Sequence, residues 1–272
     1  MIKIALLFLT ISDVNHEAYW KEFLKGHDAQ YSLYVHSKNG VSEGSFFKPF
    51  QLPYSVPTTW ANTMKAQAAL LREAVKDPGN QKFIFLTETT IPIRDFETIY
   101  RRVFEDQNSI FDFVPNPHLD QRNLALYNPE RILPLPAAVQ YKNSSWIILN
   151  RKHAELLAQD SHFIELTSQY PIDNEHYPST FLAMTGHLGE VTNRYLTLDF
   201  WAYSNPRDNH YPFTFYDLQD ELEWGLLLKT MQSDEHLFAR KFTKECDLSR
   251  LVAFRKKSRG KQGKRDSAHQ PR

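Results

Sequence analysis

The feature that most restricts the fold is the apolar run Ile2–Thr10, in which the only charged side chain is Lys3. A run this apolar, without alternation, predicts a β-strand that is covered on both faces. It is much shorter than the roughly 20 residues needed to cross a bilayer, and no small-residue cleavage pattern follows it. We therefore expect a buried first strand in a soluble, cytoplasmic protein rather than a signal peptide or membrane anchor.

The following segments alternate between helical and strand patterns. Thr59–Val75 has the clearest helical periodicity, with Thr58 or Thr59 as its cap, and Asp95 is placed to cap another helix. This alternation predicts an α/β fold with a mostly parallel central sheet flanked by helices. The predicted elements are a helix over His16–Leu24, a strand over Tyr31–His36, the helix Thr59–Val75, a strand over Phe83–Leu86 and a helix over Phe96–Phe104.

The second half continues with shorter elements. The segment Pro115–Ala138 is rich in Pro, Asn and Arg, which predicts a long loop of the kind that carries binding residues. The predicted elements are strands over Ser145–Leu149, Tyr195–Trp201 and Leu237–Phe242, and helices over Lys152–Ala158, Asn174–Ala183 and Asp217–Met231.

Charge is distributed unevenly although the formal net charge of the 272 residues is zero. Residues 255–272 hold eight of the 32 Lys and Arg residues and one of the 32 acids, which leaves −7 on residues 1–254. We predict one domain over 1–254 and a basic disordered tail over 255–272 that can touch a membrane surface weakly. The acidic body argues against a nucleic-acid ligand. The single cysteine, Cys246, excludes an intrachain disulfide and fits a reducing compartment.

Two short segments carry the candidate chemistry. Glu175, near the start of a predicted helix, is a carboxylate able to accept a proton from a hydroxyl. Arg240 and Lys241 form a cationic pair on the last predicted strand, where one of them can stabilise a departing anion. An acid and a cationic pair are the minimum for moving a sugar from a nucleotide. The alternatives are a glutamate that only favours the helix dipole and a pair of solvated surface charges.

The chain contains no Asp-x-Asp, the usual chelator of the cation that holds a nucleotide-sugar diphosphate. The pair Asp173 and Glu175 could in principle bind Mg²⁺ or Mn²⁺, so a metal-dependent enzyme stays open. Glycine-rich phosphate loops and zinc-ligand spacings are both missing from the sequence.

Seven segments in order resemble the core-2/I-branching β-1,6-N-acetylglucosaminyltransferase family, which includes peptide O-xylosyltransferases and bacterial or viral relatives. The segments are KIALLFLT, YSLYVHSKN, TTWANTMKAQAALLREA, FIFLTETTIPIRDFETIY, SSWIILNRKHAELL, DNEHYPSTFL and LFARKF. The resemblance implies a GT-A-like glycosyltransferase fold, a UDP-sugar donor, inversion and no metal or other cofactor. Family members from the Golgi carry a membrane anchor and disulfides, so this chain is similar to a bacterial or viral relative.

The resemblance also implies site residues. Glu175 falls on the family's base and Lys241 on its diphosphate-binding lysine. The donor side is expected to include Val35, His36, Ser37, Trp60, Thr87 and Glu88. The sequence departs from the family's pattern at two positions. Ser37 stands where family members often carry an acid, and Phe213 stands where a second basic residue is expected. Arg207 or Arg240 would then supply the missing positive charge.

The resemblance implies a glycan acceptor, for which we expect contacts from Ser145, Trp146, Arg122, Phe200 and Trp201, with Tyr203 nearby. The expected donor is UDP-GlcNAc, followed by UDP-xylose and UDP-glucuronate. A catalytically silent carbohydrate-binding protein with the same fold is the alternative from another functional class. A nucleic-acid binder acting through residues 255–272 is a third.

Overall fold

The computed structural model describes residues 1–119, 132–209, 211–233 and 235–256. Its centre is a six-stranded sheet with the order β2-β1-β3-β8-β5-β9. These strands are β1 Lys3–Thr10, β2 Tyr31–Ser37, β3 Asn80–Thr87, β5 Ser109–Ile110, β8 Ile148–Asn150 and β9 Val191–Thr192. Three of its five strand pairs are parallel, and β8 runs antiparallel to both neighbours. The predicted α/β fold with a mostly parallel sheet is confirmed.

Two smaller sheets adjoin the central one. The strands β4 Thr90–Pro92, β10 Thr197–Leu198 and β11 Phe238–Arg240 form a three-stranded sheet with β11 in the middle. The strands β6 Phe113–Pro115 and β7 Tyr141–Asn143 pair as an antiparallel ribbon. The predicted strand Tyr195–Trp201 is thus only two residues long.

The α-helices of the described residues have the bounds α1 Glu17–Leu24, α2 Met64–Ala74, α3 Phe96–Glu105, α4 Arg151–Gln159, α5 Phe163–Thr167, α6 Tyr177–Met184 and α7 Glu221–Ser233, and residues 249–256 are also helical. Asp95 caps α3 as predicted, because its side chain accepts a hydrogen bond from the Thr98 amide. In the part of the chain that the structure describes, no helix combines the length and the apolar character needed to cross a bilayer.

Helices cover both faces of the central sheet, as the apolar run of β1 requires. Ala5 and Leu7 point into a core shared with α2, α4 and α6, whereas Leu6 and Phe8 point into a core shared with α1 and α3. A third core lies between the small sheet, α7 and the C-terminal helix. The two larger cores meet across β1 and β3, so the carboxyl ends of these strands are held rigidly.

The prediction that a disordered tail begins at residue 255 is wrong at its boundary. Arg255 lies in the C-terminal helix, and its guanidinium donates hydrogen bonds to the Tyr19 hydroxyl (2.6 Å) and the Arg94 carbonyl (2.8 Å). The rest of the predicted tail, residues 257–272, lies outside the described residues.

Candidate active site

Glu175 lies on a short turn ahead of helix α6 rather than inside it. The 3-10 turn Asp173–Glu175 follows Ile172, whose φ of 63° is left-handed and rare for a β-branched residue. Helix α6 begins only at Tyr177, so the predicted helix start at Asn174 is wrong by three residues. The strained turn sets the direction in which the Glu175 side chain leaves the backbone.

The Glu175 carboxylate is held by a lysine that the sequence did not single out. Its Oε2 lies 2.8 Å from Nζ of Lys142, which is on β7. The two side chains are 26% and 35% exposed, so this ion pair contributes little to stability. It does fix the orientation of the carboxylate while leaving it accessible from solvent.

Asn174 connects the Glu175 turn to the segment before β8. Its amide donates to the Ser145 hydroxyl at 2.9 Å, and its backbone carbonyl accepts from the Asn143 side chain at 3.2 Å. The Asn174 side-chain oxygen is buried and has no hydrogen-bond partner among the described residues. A buried acceptor without a partner costs free energy, and a ligand hydroxyl or amide would satisfy it.

Asp173 has a structural task. Its Oδ1 accepts hydrogen bonds from the Thr63 amide (2.8 Å) and the Met64 amide (3.3 Å), so it caps α2 in place of the predicted threonine. Burial raises the pKa of this carboxyl to about 6. With the side chain 2% exposed and its oxygen bonded to α2, the geometry gives no support to Asp173 and Glu175 as a metal-binding pair.

The second half of the site is built around Arg240. Its guanidinium donates to Asp199 Oδ1 at 2.9 Å, and its central carbon lies 4.2 Å from the centre of the Trp146 ring. The other carboxylate oxygen of Asp199 accepts from the Trp146 indole at 2.6 Å. Ion pair, stacking and hydrogen bond together immobilise the arginine charge.

Lys241 follows Arg240 with a backbone φ of 137°, outside the range that L-residues normally adopt. The strand therefore ends at Arg240, and the predicted strand to Phe242 is too long. The half-buried ammonium makes no hydrogen bond or ion pair with any residue that the structure describes. Burial and the nearby Arg240 charge lower the pKa of Lys241, against the opposing effect of Asp208 and Asp199.

Thr87 and Glu88 lie beside this cationic segment. They occupy the turn from β3 to β4, and β4 pairs with β11 so that Thr90 faces Arg240. Burial raises the pKa of Glu88, and the charge of Arg240 counteracts that rise. The Thr87 hydroxyl lies within hydrogen-bond distance of the Thr89 and Thr90 hydroxyls, at 3.1 and 3.0 Å.

A continuous chain of contacts joins the two halves. Asn174, next to Glu175, bonds Ser145, and Trp146, next to Ser145, stacks on Arg240, next to Lys241. We call the residues linked in this way, from the Asp173–Glu175 turn to the cations at the end of β11, the connected site. Segments from three distant parts of the chain build it.

The residues predicted at the end of β2 are buried instead of lining a cleft. Val35 and His36 are fully buried, and Ser37 is 2% exposed. His36 Nε2 accepts a hydrogen bond from the Val56 amide at 2.8 Å, and the Ser37 hydroxyl donates to the Ser12 carbonyl at 2.9 Å. Their side chains fix the neighbouring loops, and a contact with the donor stays a prediction.

Trp60 also differs from the prediction. It does not open a helix, because residues 59–62 form a tight turn in which Ala61 has a φ of 62°. The indole is 88% exposed, so core packing is excluded. The next residue but one, Asn62, accepts from the Ile172 amide at 3.0 Å and donates to the Tyr170 carbonyl at 3.2 Å, which ties this turn to the Glu175 turn.

Arg207 does not supply a free second cation. Its guanidinium lies 3.6 Å from Asp220 and 3.9 Å from the buried Glu223, and it covers the Tyr216 ring at 5.6 Å. Phe213, at the position where a basic residue was expected, is 1% exposed in the third core. The charge of Arg207 is therefore largely neutralised.

The predicted acceptor residues fall into three groups. Ser145 and Trp146 belong to the connected site described above. Phe200 is 7% exposed and packs on Phe215 in the third core, whereas Trp201 is 59% and Tyr203 is 49% exposed. Arg122 lies outside the described residues.

Sequence reasoning missed Lys142, Asn174 and Asp199. Asn174 stands beside the predicted base and directly after the Asp173 carboxylate. This position was a signal that the sequence offered for a site residue. Lys142 and Asp199 have no such local signal. Their roles depend on partners 33 and 41 positions away in the sequence.

Two comparisons with known proteins found similar sequences. The sequence model described as Core-2/I-Branching enzyme matches residues 4–225. A curated protein named Glycosyltransferase BC10, from Oryza sativa subsp. japonica, is 25% identical over 308 residues, which is 92% of this chain and 76% of that protein.

Solved structures resemble this chain only distantly. Galactosyltransferase LgtC, in complex with donor and acceptor sugar analogues, has 15% identity and a TM-score of 0.40 over 76% of this chain and 82% of its own. A glycosyltransferase involved in glycosylation of the major capsid of PBCV-1 has 11% identity and a TM-score of 0.31 over 87% and 93%. Similarities of this size carry no statement about the site.

Proposed function

The chain belongs to the Core-2/I-Branching enzyme family of glycosyltransferases, and we propose that it transfers a sugar from a UDP-sugar to a glycan hydroxyl, with inversion and without a metal ion. UDP-GlcNAc is the first donor we propose, followed by UDP-xylose and UDP-glucuronate. The observation that carries the proposal is the connected site, in which one accessible carboxylate is linked through Asn174, Ser145, Trp146 and Arg240 to a lysine that has no partner among the described residues.

Glu175 acts as the general base in this proposal. Its carboxylate accepts the proton of the acceptor hydroxyl while the hydroxyl oxygen bonds to the anomeric carbon from the face opposite the diphosphate. The bond between the anomeric carbon and the diphosphate oxygen breaks, and its electron pair leaves with UDP. Lys142, 2.8 Å from Oε2, orients the carboxylate for this transfer.

Lys241 stabilises the UDP that leaves. Its ammonium is half buried and makes no hydrogen bond or ion pair with the described residues, so its charge is available to a diphosphate. Preorganised charge of this kind is effective because it needs no rearrangement as the negative charge develops. Arg240, held by Asp199 and stacked on Trp146, places a fixed guanidinium next to it, although the Asp199 carboxylate partly balances that charge.

The exposed aromatic side chains suit the acceptor. Trp201 and Tyr203 lie two and four residues after Asp199 and present flat apolar faces to solvent. Sugar rings stack on such faces through their C–H groups, so we place the acceptor glycan on this side of the connected site.

A UDP-release assay across the three nucleotide sugars, each with EDTA and with Mn²⁺, tests the proposal. We expect one donor to give turnover that EDTA does not reduce. Turnover that EDTA abolishes and Mn²⁺ restores would replace this mechanism with the metal-dependent one.

Glu175→Gln tests the base directly. We expect at least a roughly 100-fold loss of kcat, the scale of general base catalysis, with UDP binding unchanged. Glu165→Gln is the matched control, because Glu165 also pairs with a lysine (Lys65, 2.7 Å) but lies elsewhere. If wild type releases no UDP with any donor and still binds a glycan, the chain is a silent carbohydrate-binding protein.

A further inference from the structure

A second cluster of ligating side chains lies at the far end of helix α6 from Glu175. His153 comes from the first turn of α4, and His187 and Glu190 come from the turn that follows α6. One ligand atom from each of the three lies within 4.8 Å of the others, and they are the only such group of three or more His, Cys, Asp or Glu side chains in the described ranges. We propose that His153, His187 and Glu190 form a zinc-binding site.

Each histidine lies near one oxygen of the Glu190 carboxylate, at a distance close to the spacing of neighbouring ligand atoms around zinc. His187 Nδ1 lies 3.1 Å from Glu190 Oε1, and His153 Nε2 lies 3.5 Å from Glu190 Oε2. Zinc bonds of about 2.0–2.1 Å to nitrogen and oxygen place neighbouring ligand atoms about 3.3 Å apart. Two imidazoles and one carboxylate favour zinc over Mg²⁺ or Ca²⁺, which prefer an all-oxygen shell. Water would supply the fourth ligand.

His153 provides an independent reason to expect a ligand. Its side chain is fully buried, and Nδ1 lies 2.7 Å from the Ser109 hydroxyl, which also accepts from the Asn150 amide. Nε2 is buried without a hydrogen bond among the described residues and faces Glu190. Zinc-binding histidines commonly have this arrangement, with one nitrogen on the metal and the other on a fixed partner.

Lys152 competes with the zinc ion for the Glu190 carboxylate. Its ammonium lies 2.7 and 2.8 Å from the two Glu190 oxygens, where it supplies a positive charge next to the carboxylate. The Lys152 side chain is 52% exposed, so it can turn into solvent when zinc binds. The strength of the zinc site is therefore set by the loss of this ion pair.

The site has a structural role rather than a catalytic one. Zinc would join the start of α4 to the turn that ends α6, whose other end begins two residues after Glu175. Eight helical residues span about 12 Å, so the ion is too far from Glu175 to take part in sugar transfer. The ion would hold in place the segment of the chain that carries the proposed base, Glu175.

Zinc titration of the untagged full chain, freed of metal with EDTA and dialysed, tests this by calorimetry and thermal unfolding. We expect one equivalent of zinc to bind and, at about 100 times Kd, to raise Tm by roughly 5 °C or more. His187→Ala and Glu190→Gln, both at partly exposed positions, should each weaken binding by more than about 100-fold, beyond the cost of losing an outer-shell partner. Lys152→Met should tighten binding.

The control is His27→Ala, because His27 also pairs with one glutamate, Glu97, at 3.2 Å. This variant should bind zinc like wild type. No stoichiometric binding, or equally tight binding by folded His187→Ala, overturns the proposal and leaves the three side chains as an ordinary polar cluster. Neither result bears on sugar transfer, because no readout here uses turnover.

Discussion

At the scale of single residues, the conspicuous feature of the site is where the backbone is strained. Ile172 and Lys241, with φ values of 63° and 137°, stand three residues before the proposed base and at the proposed diphosphate ligand. A strained non-glycine backbone costs on the order of 1–3 kcal/mol and persists when the surroundings hold it. At Lys241 the surroundings are the Phe215 and Phe242 amides, which fix the backbone on both sides.

The strain at Lys241 predicts that two substitutions there will differ in stability but not in turnover. Lys241→Gly and Lys241→Ala both remove the ammonium, but only glycine relieves the φ of 137°. We expect the glycine variant to be more stable than the alanine variant by about 1 kcal/mol or more in urea unfolding. Both should lose the same factor in kcat, because neither can hold the diphosphate. Equal stabilities would show that the backbone at this position is relaxed.

At the scale of elements, α2 shows which features of a helix can be predicted from its local sequence. The apolar stripe of α2 was predicted correctly, because periodicity within one helix is a local property. Its start was not, since Thr63 makes no capping hydrogen bond and Asp173 supplies the acceptor from 110 positions away. A short-range rule for helix caps cannot identify a cap that arrives through tertiary folding.

Asp173 should make stability depend on pH between about 4 and 6. Its pKa in the folded protein is about 6, above the ordinary 3.8, because burial disfavours the charged form. The folded state therefore binds this proton more tightly, so the stabilisation is complete below pH 3.8 and is lost as pH rises through 6. The rise to about 6 corresponds to about 3 kcal/mol.

Asp173→Asn removes this titration while keeping an oxygen that can cap α2. We expect the unfolding free energy of wild type, minus that of the variant, to be larger at pH 4 than at pH 7 by up to about 3 kcal/mol. Urea unfolding at both pH values measures this difference. A difference that does not change with pH would mean that Asp173 is ionised throughout this range in the folded protein.

At the scale of the whole molecule, the sequence predicted the layers but not their connections. The run of β1 implied a two-sided sheet, and its residues do face helices on both sides. Nothing local indicated that β8 runs antiparallel beside β3, or that β4 leaves the central sheet to pair with β11. Those pairings bring Glu88 next to Arg240. Assembly of the site therefore depends on pairing between distant strands, which hydrophobic periodicity and secondary-structure propensity do not specify.

The C-terminal helix gives the last prediction, because it connects the two ends of the described chain. Arg255 donates to the Tyr19 hydroxyl on α1 and to the Arg94 carbonyl ahead of α3. Charged hydrogen bonds of this kind contribute about 1.5–3 kcal/mol each at most. We expect Arg255→Ala to lower the unfolding free energy by about 1–3 kcal/mol, whereas Lys256→Ala, at an exposed neighbouring position, should change it by less than about 0.5 kcal/mol. Urea unfolding of the two full-length variants measures whether the C-terminal helix stabilises the fold through the hydrogen bonds of Arg255. Equal, small effects of the two substitutions would show that it does not.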